Sequence, residues 1–494
     1  MRKMTAGELV AALKGNLEAG SENEIFTDIV RDSREACEGN AFFAIKGVRN
    51  DGHDYLPQVL DSGCRVIVVS DRDKTLKALE GRSGVTAVLT EDTTAALQKL
   101  GTYYLNSLEP KAKIGVTGSV GKTSTRDFLY YVFSKKFRTA RSIKNYNNEY
   151  GLPLSLLSFP GDTEACIIEM GMEKKGSIAF LADLSYPDVG VITNVGISHI
   201  ENFPEEGRQG ILNTKLEITK NFNDDSVLII NWDDEMLNGL DLKERGIKGR
   251  LIKVGSTKDC DFIIKNIIDK GTLGVGFDIE HDGTEVHAEL PVPGAHNAIN
   301  SGLAIAAGTL YGITIEEAVE GLAEAGLTEK RLAIKEKDGI IVIDDTYNAA
   351  PDSLKSAIKT LMNTPAPEGG RHIVITGDMF ELGSEAAQGH SSCGAFAYDM
   401  GVDVLIAIGE LSRNTLEGWR IAAENAGHEI EEERYPDGPY VLMDKITGQG
   451  AEHFDNKEMV MAGIKEHTHS GDRILVKASR SMALEKIVKT IMEE

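Results

Sequence analysis

No run of apolar residues in this 494-residue chain approaches the roughly 20 needed to cross a bilayer. Cysteine is sparse and scattered. Cys37, Cys64, Cys166, Cys260 and Cys393 form no C-x-x-C pair, which excludes the usual zinc-ribbon spacing and argues for reduced thiols over a disulfide framework. Positive charge is short as well: 53 lysines and arginines face 77 aspartates and glutamates, a formal net charge of −24. A surface of that sign repels nucleic acid and anionic membranes, so no nucleic-acid partner and no membrane insertion are expected. The opening stretch MRKMTAGELVAALKG lacks the apolar centre of a signal peptide and reads as a capped amphipathic helix. The expected location is the cytoplasm. Internal repeats and low-complexity tracts are absent too.

What is present is an ordinary globular composition, 41% hydrophobic and 26% charged. The length suggests about three domains at roughly 100–200 residues each. In residues 1–90, NAFFAIKG and RVIVVSD read as strands around a helical YLPQVLDSGC. Residues 91–328 open with the helical TTAALQKLGTYYLNSL and carry the buried strands EACIIEMG and VGVITNVG. Strands alternating with helices predict a parallel sheet wound on both faces. Residues 251–290 turn to short strands and turns, an antiparallel excursion, before HNAINSGLAIAAGTLYG returns to helix. Residues 329–494 hold GIIVIDD, RHIVITGD, VLIAIGE and RILVKAS as strands with helices between, a second open α/β unit.

One expected glycine is also missing. KIGVTGSVGKTSTRDFL, residues 113–129, ends like a phosphate-binding loop, yet Val116 stands where G-x-x-x-x-G-K-[ST] requires glycine. The physical logic survives. Gly118 and Gly121 let the backbone approach an anion, and the free N–H groups and positive dipole end of the following helix point at it. Lys122 would reach the β- and γ-oxygens, and Thr123 offers a hydroxyl to Mg²⁺. This loop alone says nucleoside triphosphate; a GTPase or a motor would fit it equally.

Glu169 ends an apolar strand, and Thr193, Asn194 and His199 follow another. Such strand ends line the ligand crevice of open α/β sheets. Glu169 and His199 beside a phosphate loop suit metal coordination. KNYNNEYGLP, with Asn147 and Asn148, is either a polar loop or a surface for a hydrogen-bonding substrate. TKLEI, with Lys215 and Glu217, is by pattern an ordinary surface helix.

Together these motifs resemble the Mur ligases, the ATP-dependent amide-forming ligases of peptidoglycan precursor synthesis, which carry T-G-x-x-G-K-T. The resemblance rests on DIVRDSREACEGNAFFAIKGVRNDGHDYL, NYNNEYGLPLSLL, EMGMEKKGSI, VITNVGISHIENF, TKLEI, GAHNAINSGLAIAAG, IDDTYNAAPDSLKSAI and GDMFELG, in that order. It implies an α/β protein of three domains: a small uridine-nucleotide-binding domain at 1–90, a central P-loop ATPase domain with a doubly wound, mainly parallel sheet at 91–328, and a C-terminal Rossmann-like domain at 329–494. DDTYNAAPDSL and GDMFELG resemble the branch that adds D-alanyl-D-alanine, and the Tyr-Ala-His-x-Pro segment of the third-residue-adding branch is absent. The implied partners are UDP-N-acetylmuramoyl-tripeptide and D-alanyl-D-alanine, and the implied state is a monomer. The rival readings are a ligase of the same family that adds a diamino acid to the dipeptide precursor, and a regulatory P-loop NTPase.

The resemblance also assigns roles. Thr117, Gly118, Ser119, Val120, Gly121, Lys122, Thr123 and Ser124 would cradle ATP, with Asn300, Arg331 and Asp345 completing its site. Thr123, Glu169 and His199 would hold two Mg²⁺ ions. Lys215 matches a lysine carbamylated by CO₂, which turns a cation that repels Mg²⁺ into an anionic ligand. Lys122, Glu169, His199 and Lys215 form the implied catalytic set. Ser33, Arg34, Asp51, Gly52 and His53 match the nucleotide-sugar region, although DSRE is also a common turn. Asn147, Asn148, Tyr347 and Asn348 would line the substrate cleft, and Lys477, Ser479 and Arg480 would receive the dipeptide carboxylate. His296 and Asn297 are either adenine neighbours or helix caps. Val120, Ala350 and Ala478 depart from the family pattern, where an amide, an amide and a glycine are usual.

Overall fold

The computed structural model describes residues 1–326, 330–435 and 438–493. The expected boundary at 328/329 lies outside the described residues. Three large sheets follow one another along the chain, and each explains its own sequence pattern.

The first sheet has the strands Asn16–Ala19, Thr86–Leu89, Val66–Val69, Asn40–Phe43 and Asp28–Val30 side by side. The last four are parallel and the first is antiparallel. The helix Ala6–Leu13 precedes them, and its Thr5 and Glu8 form a reciprocal capping box.

The central sheet has nine strands. Thr139–Arg141, Ala165–Glu169, Ala112–Thr117, Val189–Ile192, Val227–Asn231, Arg250–Gly255 and Phe262–Asp269 run parallel, and Val275–His281 and Thr284–Leu290 close the edge antiparallel. The antiparallel excursion thus begins one strand later than the pattern suggests, because Arg250–Gly255 still pairs parallel on both sides. Ala165–Glu169 is buried along its whole length. That is the mark of a parallel strand covered by helices on both faces, and it is why ACIIE reads as a continuous apolar run.

The third sheet orders Ala333–Lys337, Ile340–Asp344, Arg473–Lys477, His372–Gly377, Val404–Ile408, Gly450–Phe454, Tyr440–Asp444 and Ile430–Arg434. Its middle strands are parallel and its edges antiparallel.

The apolar core does not divide at residue 90. Leu9, Leu13, Phe43 and Val68 belong to the same cluster as Leu97, Leu100, Tyr104, Leu152 and Leu156, joined by the helix Thr93–Ser107. The other face of the central sheet has its own core around Phe128, Phe133 and Ile305. The third sheet is covered on both faces by separate clusters. No helix among the described residues is long and apolar enough to cross a membrane.

Ala112–Thr117 lies between Ala165–Glu169 on one side and Val189–Ile192 on the other. The order of strands therefore reverses there, and the carboxyl ends of these three strands open a crevice.

Candidate functional site

The loop between Thr117 and the helix Lys122–Ser134 sits in that crevice. Its shape is imposed from below. A Cβ on Gly118 would lie 1.9 Å from Thr193 Oγ1, so only glycine fits. Gly121 has φ +84° and begins the helix, and a Cβ there would press on the Asn300 amide. Thr117 is fully buried, and its hydroxyl has no hydrogen-bond partner among the described residues. Ser124 is buried in the first turn of the helix.

Lys122 folds over the loop and donates to the carbonyls of Gly118, at 2.7 Å, and Ser119, at 3.1 Å. Burial lowers its pKa to about 8, Arg331 adds to the fall, and Glu169 opposes it. Thr123 Oγ1 donates to Glu169 Oε2 at 3.0 Å. Glu169 is buried and also accepts from Asn147 Nδ2 at 2.9 Å and from Arg126 Nη1 at 3.3 Å. Arg126 is a buried cation that sequence reasoning passed over, and it pairs with Asp127 as well. The available signal was an arginine three residues after Thr123, one helical turn along the same face.

A cavity of about 470 Å³ opens over this loop. Ser119, Val120, Gly121, Lys122, Thr123, Asn147, Asn148, Glu169 and His199 line it from the central sheet; Arg331, Asp345, Tyr347, Asn348 and Lys477 line it from the third. A second cavity of about 360 Å³ shares Val120, Gly121, Arg331, Asp345 and Lys477 with the first, and adds Asn194, His296 and Asn300. The chain thus brings residues more than 300 positions apart into one double-chambered cleft.

The wall between the chambers is braced. Lys477 Nζ contacts Asp345 Oδ2 at 2.6 Å and the Asn348 carbonyl at 2.8 Å, and Asp345 Oδ1 accepts from the Leu332 N–H at 3.3 Å. The Arg331 guanidinium stacks 4.1 Å from the Tyr347 ring, and its buried Nε has no hydrogen-bond partner among the described residues. His199 Nδ1 lies 2.8 Å from Glu381 Oε2 across the cleft, a contact that lowers the Glu381 pKa. His296 Nδ1 meets Ser356 Oγ at 2.7 Å, also between the two sheets.

Several expected residues stand elsewhere. Lys215 lines neither cavity. It is 1% exposed on the helix Gly207–Leu216, which corrects its reading as part of an ordinary surface helix. Burial pushes its pKa well down, and the Lys122 charge adds to the shift while Asp234 opposes it. No hydrogen-bonding or ion-pair partner of its Nζ is found among the described residues. Glu217, just beyond that helix, accepts from the Gly176 and Ala179 N–H groups at the start of the helix Ser177–Ser185.

Asn148 lines the cleft, and its Oδ1 accepts from the Gly151 N–H at 2.8 Å just ahead of the helix Gly151–Leu157. Ser479 is buried and accepts from the Phe380 N–H, and Arg480 is exposed beside Glu485. Neither residue lines the cleft. Ser33, Arg34, Asp51, Gly52 and His53 are also outside it. Arg34 pairs with Asp32 at the surface. A Cβ on Gly52 would strike the Ala44–Ile45 backbone. His53 is buried; its Nδ1 meets Asp51 and its Nε2 accepts from the Ser70 and Asp71 N–H groups. Both ring nitrogens are engaged within the fold.

Thr123 Oγ1 and a Glu169 oxygen converge within 3.0 Å at the loop, which suits a hard cation. No group of three or more His, Cys, Asp or Glu side chains among the described residues is placed to hold a metal by itself. An ion here would draw its other oxygens from a phosphate or from water.

Comparison with known proteins adds an independent line. Residues 116–308 match the Mur ligase middle domain, and residues 330–480 match the Mur ligase glutamate ligase domain. The UDP-N-acetylmuramoyl-tripeptide–D-alanyl-D-alanine ligase of Bacillus subtilis is 33% identical over 100% of this chain and 99% of its own length. A crystal structure of MurF from Acinetobacter baumannii superposes with a TM-score of 0.84 at 26% identity, covering 100% of both chains. MurF from Thermotoga maritima, solved in complex with ADP, gives 0.74 at 25% identity over 94% of this chain and 96% of that one.

Proposed function

We propose, on the premise that this chain belongs to the Mur ligase family, that it adds D-alanyl-D-alanine to UDP-N-acetylmuramoyl-tripeptide and splits ATP to ADP and phosphate. The observation that carries the reading is the single cleft in which Lys122, Thr123 and Glu169 face Arg331, Asp345 and Lys477. Joining a carboxylate to an amine requires a leaving group better than oxide. Transfer of the γ-phosphoryl group to the peptide carboxylate makes an acyl phosphate; the dipeptide amine attacks its carbon, and phosphate departs from the tetrahedral intermediate. Two anions must first be brought together, and cations must offset their repulsion.

In this reading the N-terminus of the helix Lys122–Ser134 and Lys122 hold the β- and γ-phosphates. Arg331 approaches from the opposite wall, its plane fixed by Tyr347. The second chamber, with Asn300 and His296, takes the nucleoside. Asp345 positions Arg331 through the Leu332 N–H and is itself held by Lys477. Thr123, Glu169 and His199 are the proposed Mg²⁺ ligands; bound Mg²⁺ would neutralise charge on the phosphates. Lys215 is the proposed carbamate. Its burial without a partner favours the neutral amine, the form that can take up CO₂. Ser33, Arg34, Asp51, Gly52 and His53 are the proposed nucleotide-sugar region, and Lys477, Ser479 and Arg480 the proposed carboxylate end for the dipeptide. We keep the division into residues 1–90, 91–328 and 329–494, and place a monomer in the cytoplasm.

A substrate panel tests the function. ADP should appear when ATP, the tripeptide nucleotide and D-alanyl-D-alanine are all present. Omitting the dipeptide, or offering a diamino acid with the dipeptide nucleotide, should leave ADP at background. Equal ADP release without any peptide nucleotide would favour a regulatory NTPase and reject the ligase.

A further inference from the structure

We infer that Asn194 is the positioning residue of the phosphate loop: its side-chain amide, together with its own carbonyl, decides which of the loop's N–H groups remain open to a phosphate. The inference rests on the reading above that this loop holds ATP. Its geometry does not depend on that reading.

The Asn194 side chain lies under the loop and touches it three times. Oδ1 accepts from the Ser119 N–H at 3.1 Å and from the Val120 N–H at 2.9 Å. Nδ2 donates to the Val120 carbonyl at 2.9 Å. The Asn194 carbonyl accepts from the Ser119 N–H as well, at 3.1 Å. Thr193 Oγ1 donates to the same Val120 carbonyl, and the Gly196 N–H donates to Ser119 Oγ at 2.9 Å. The peptide at Val120 therefore has every backbone hydrogen-bonding group satisfied.

Two consequences follow. First, the Ser119 and Val120 N–H groups are turned inward and cannot serve an anion. Those of Gly121, Lys122, Thr123 and Ser124 make no backbone hydrogen bond among the described residues; they are the open donors of a helix start. The anion site is thus narrower than the full loop. Second, position 120 is held through its backbone, so valine serves where the family commonly has an amide. The departure at Val120 costs the loop nothing.

Only asparagine offers an acceptor for two N–H groups and a donor for one C=O at this reach. Aspartate keeps the acceptor, sets an oxygen against the Val120 carbonyl, and adds a negative charge beside the phosphates. Alanine removes all three contacts.

The test uses the full chain in wild-type, Asn194→Asp and Asn194→Ala forms, with Thr193→Val as a fourth should alanine fail to fold. Calorimetry would titrate ATP, ADP and AMP, with the tripeptide nucleotide as a control. Hydrogen exchange would follow the peptide spanning Ser119–Ser124 in the free protein. Protected Ser119 and Val120 amides and fast Gly121–Ser124 amides are expected in the wild type; in Asn194→Ala the Val120 protection should be lost, while Ser119 keeps the main-chain carbonyl of residue 194 as an acceptor. Asn194→Asp should weaken ATP at least about tenfold and AMP distinctly less, because a nearby charge acts on the phosphates. Binding of the tripeptide nucleotide should stay within about twofold of wild type. A purely structural role would weaken all nucleotides alike. Unchanged exchange in Asn194→Ala, or equal losses for ATP and AMP in Asn194→Asp, would overturn the inference. A wild type that shows the exchange pattern but takes up no ATP would instead reject the phosphate reading and leave the clamp standing.

Discussion

Replacing Lys215 with methionine is expected to strengthen the fold and abolish amide formation. Lys215 is 1% exposed, with no partner for its Nζ among the described residues. Burial there pushes the amine's pKa well below its ordinary value of 10.5 and so favours the neutral form. Because the folded-state value lies below the unfolded one, the unfolded chain binds the extra proton, and the penalty grows as the pH falls from 10.5 toward the folded value. It scales at about 1.4 kcal/mol per tenfold change in proton activity over that range. Methionine is similar in length and carries no charge, so it removes that penalty and leaves little cavity. Urea denaturation in CO₂-depleted buffer should therefore show a gain of at least about 1 kcal/mol, larger at pH 7 than at pH 9. Coupled ADP release should fall to background, and added bicarbonate should restore nothing. A variant less stable than wild type by more than about 1 kcal/mol would refute the burial argument. Retained activity would refute the carbamate role.

Two further expectations are simpler. Burial holds His296 at a pKa of about 4, below its unfolded value, so its neutral form is favoured. Stability should fall as the pH drops from about 6.5 toward 4, by at most about 3 kcal/mol, and His296→Gln should flatten that part of an acid-denaturation series. Glu217→Ala should cost about 1 kcal/mol by thermal melting, because it uncaps the helix Ser177–Ser185 at the Gly176 and Ala179 N–H groups; an unchanged melting point would show the cap to be idle.

The residues that local spacing could reveal were the ones that work through the backbone. Thr5 and Glu8 announce their capping box, and G-K-T announces the loop before Lys122–Ser134. Strands buried on both faces, such as Ala165–Glu169, announce themselves by unbroken apolar runs. Lys215 shows the limit. A lysine reads as solvent-facing by residue type, although Ile211 and Leu212 one turn before it and Ile218 three residues after it are buried and place it on the inner face. His53 shows it differently: the motif that marks it carries no sign of the distant Ser70–Asp71 backbone that its Nε2 meets. The strand Ile430–Arg434 escaped notice because IEEER is an exposed edge strand without an apolar face. Glu381 and the loop-facing amide of Asn194 act through partners far along the chain, for which spacing carries no signal, whereas Arg126 stands one turn beyond Thr123 on the same helix face.

The central claim is that the cleft lets a carboxylate take a phosphoryl group before the amide forms. Labelling the terminal carboxylate of the tripeptide nucleotide with ¹⁸O tests it directly. Mass measurement should find one labelled oxygen in each phosphate released as the D-alanyl-D-alanine product forms. Product formation with wholly unlabelled phosphate would contradict the account.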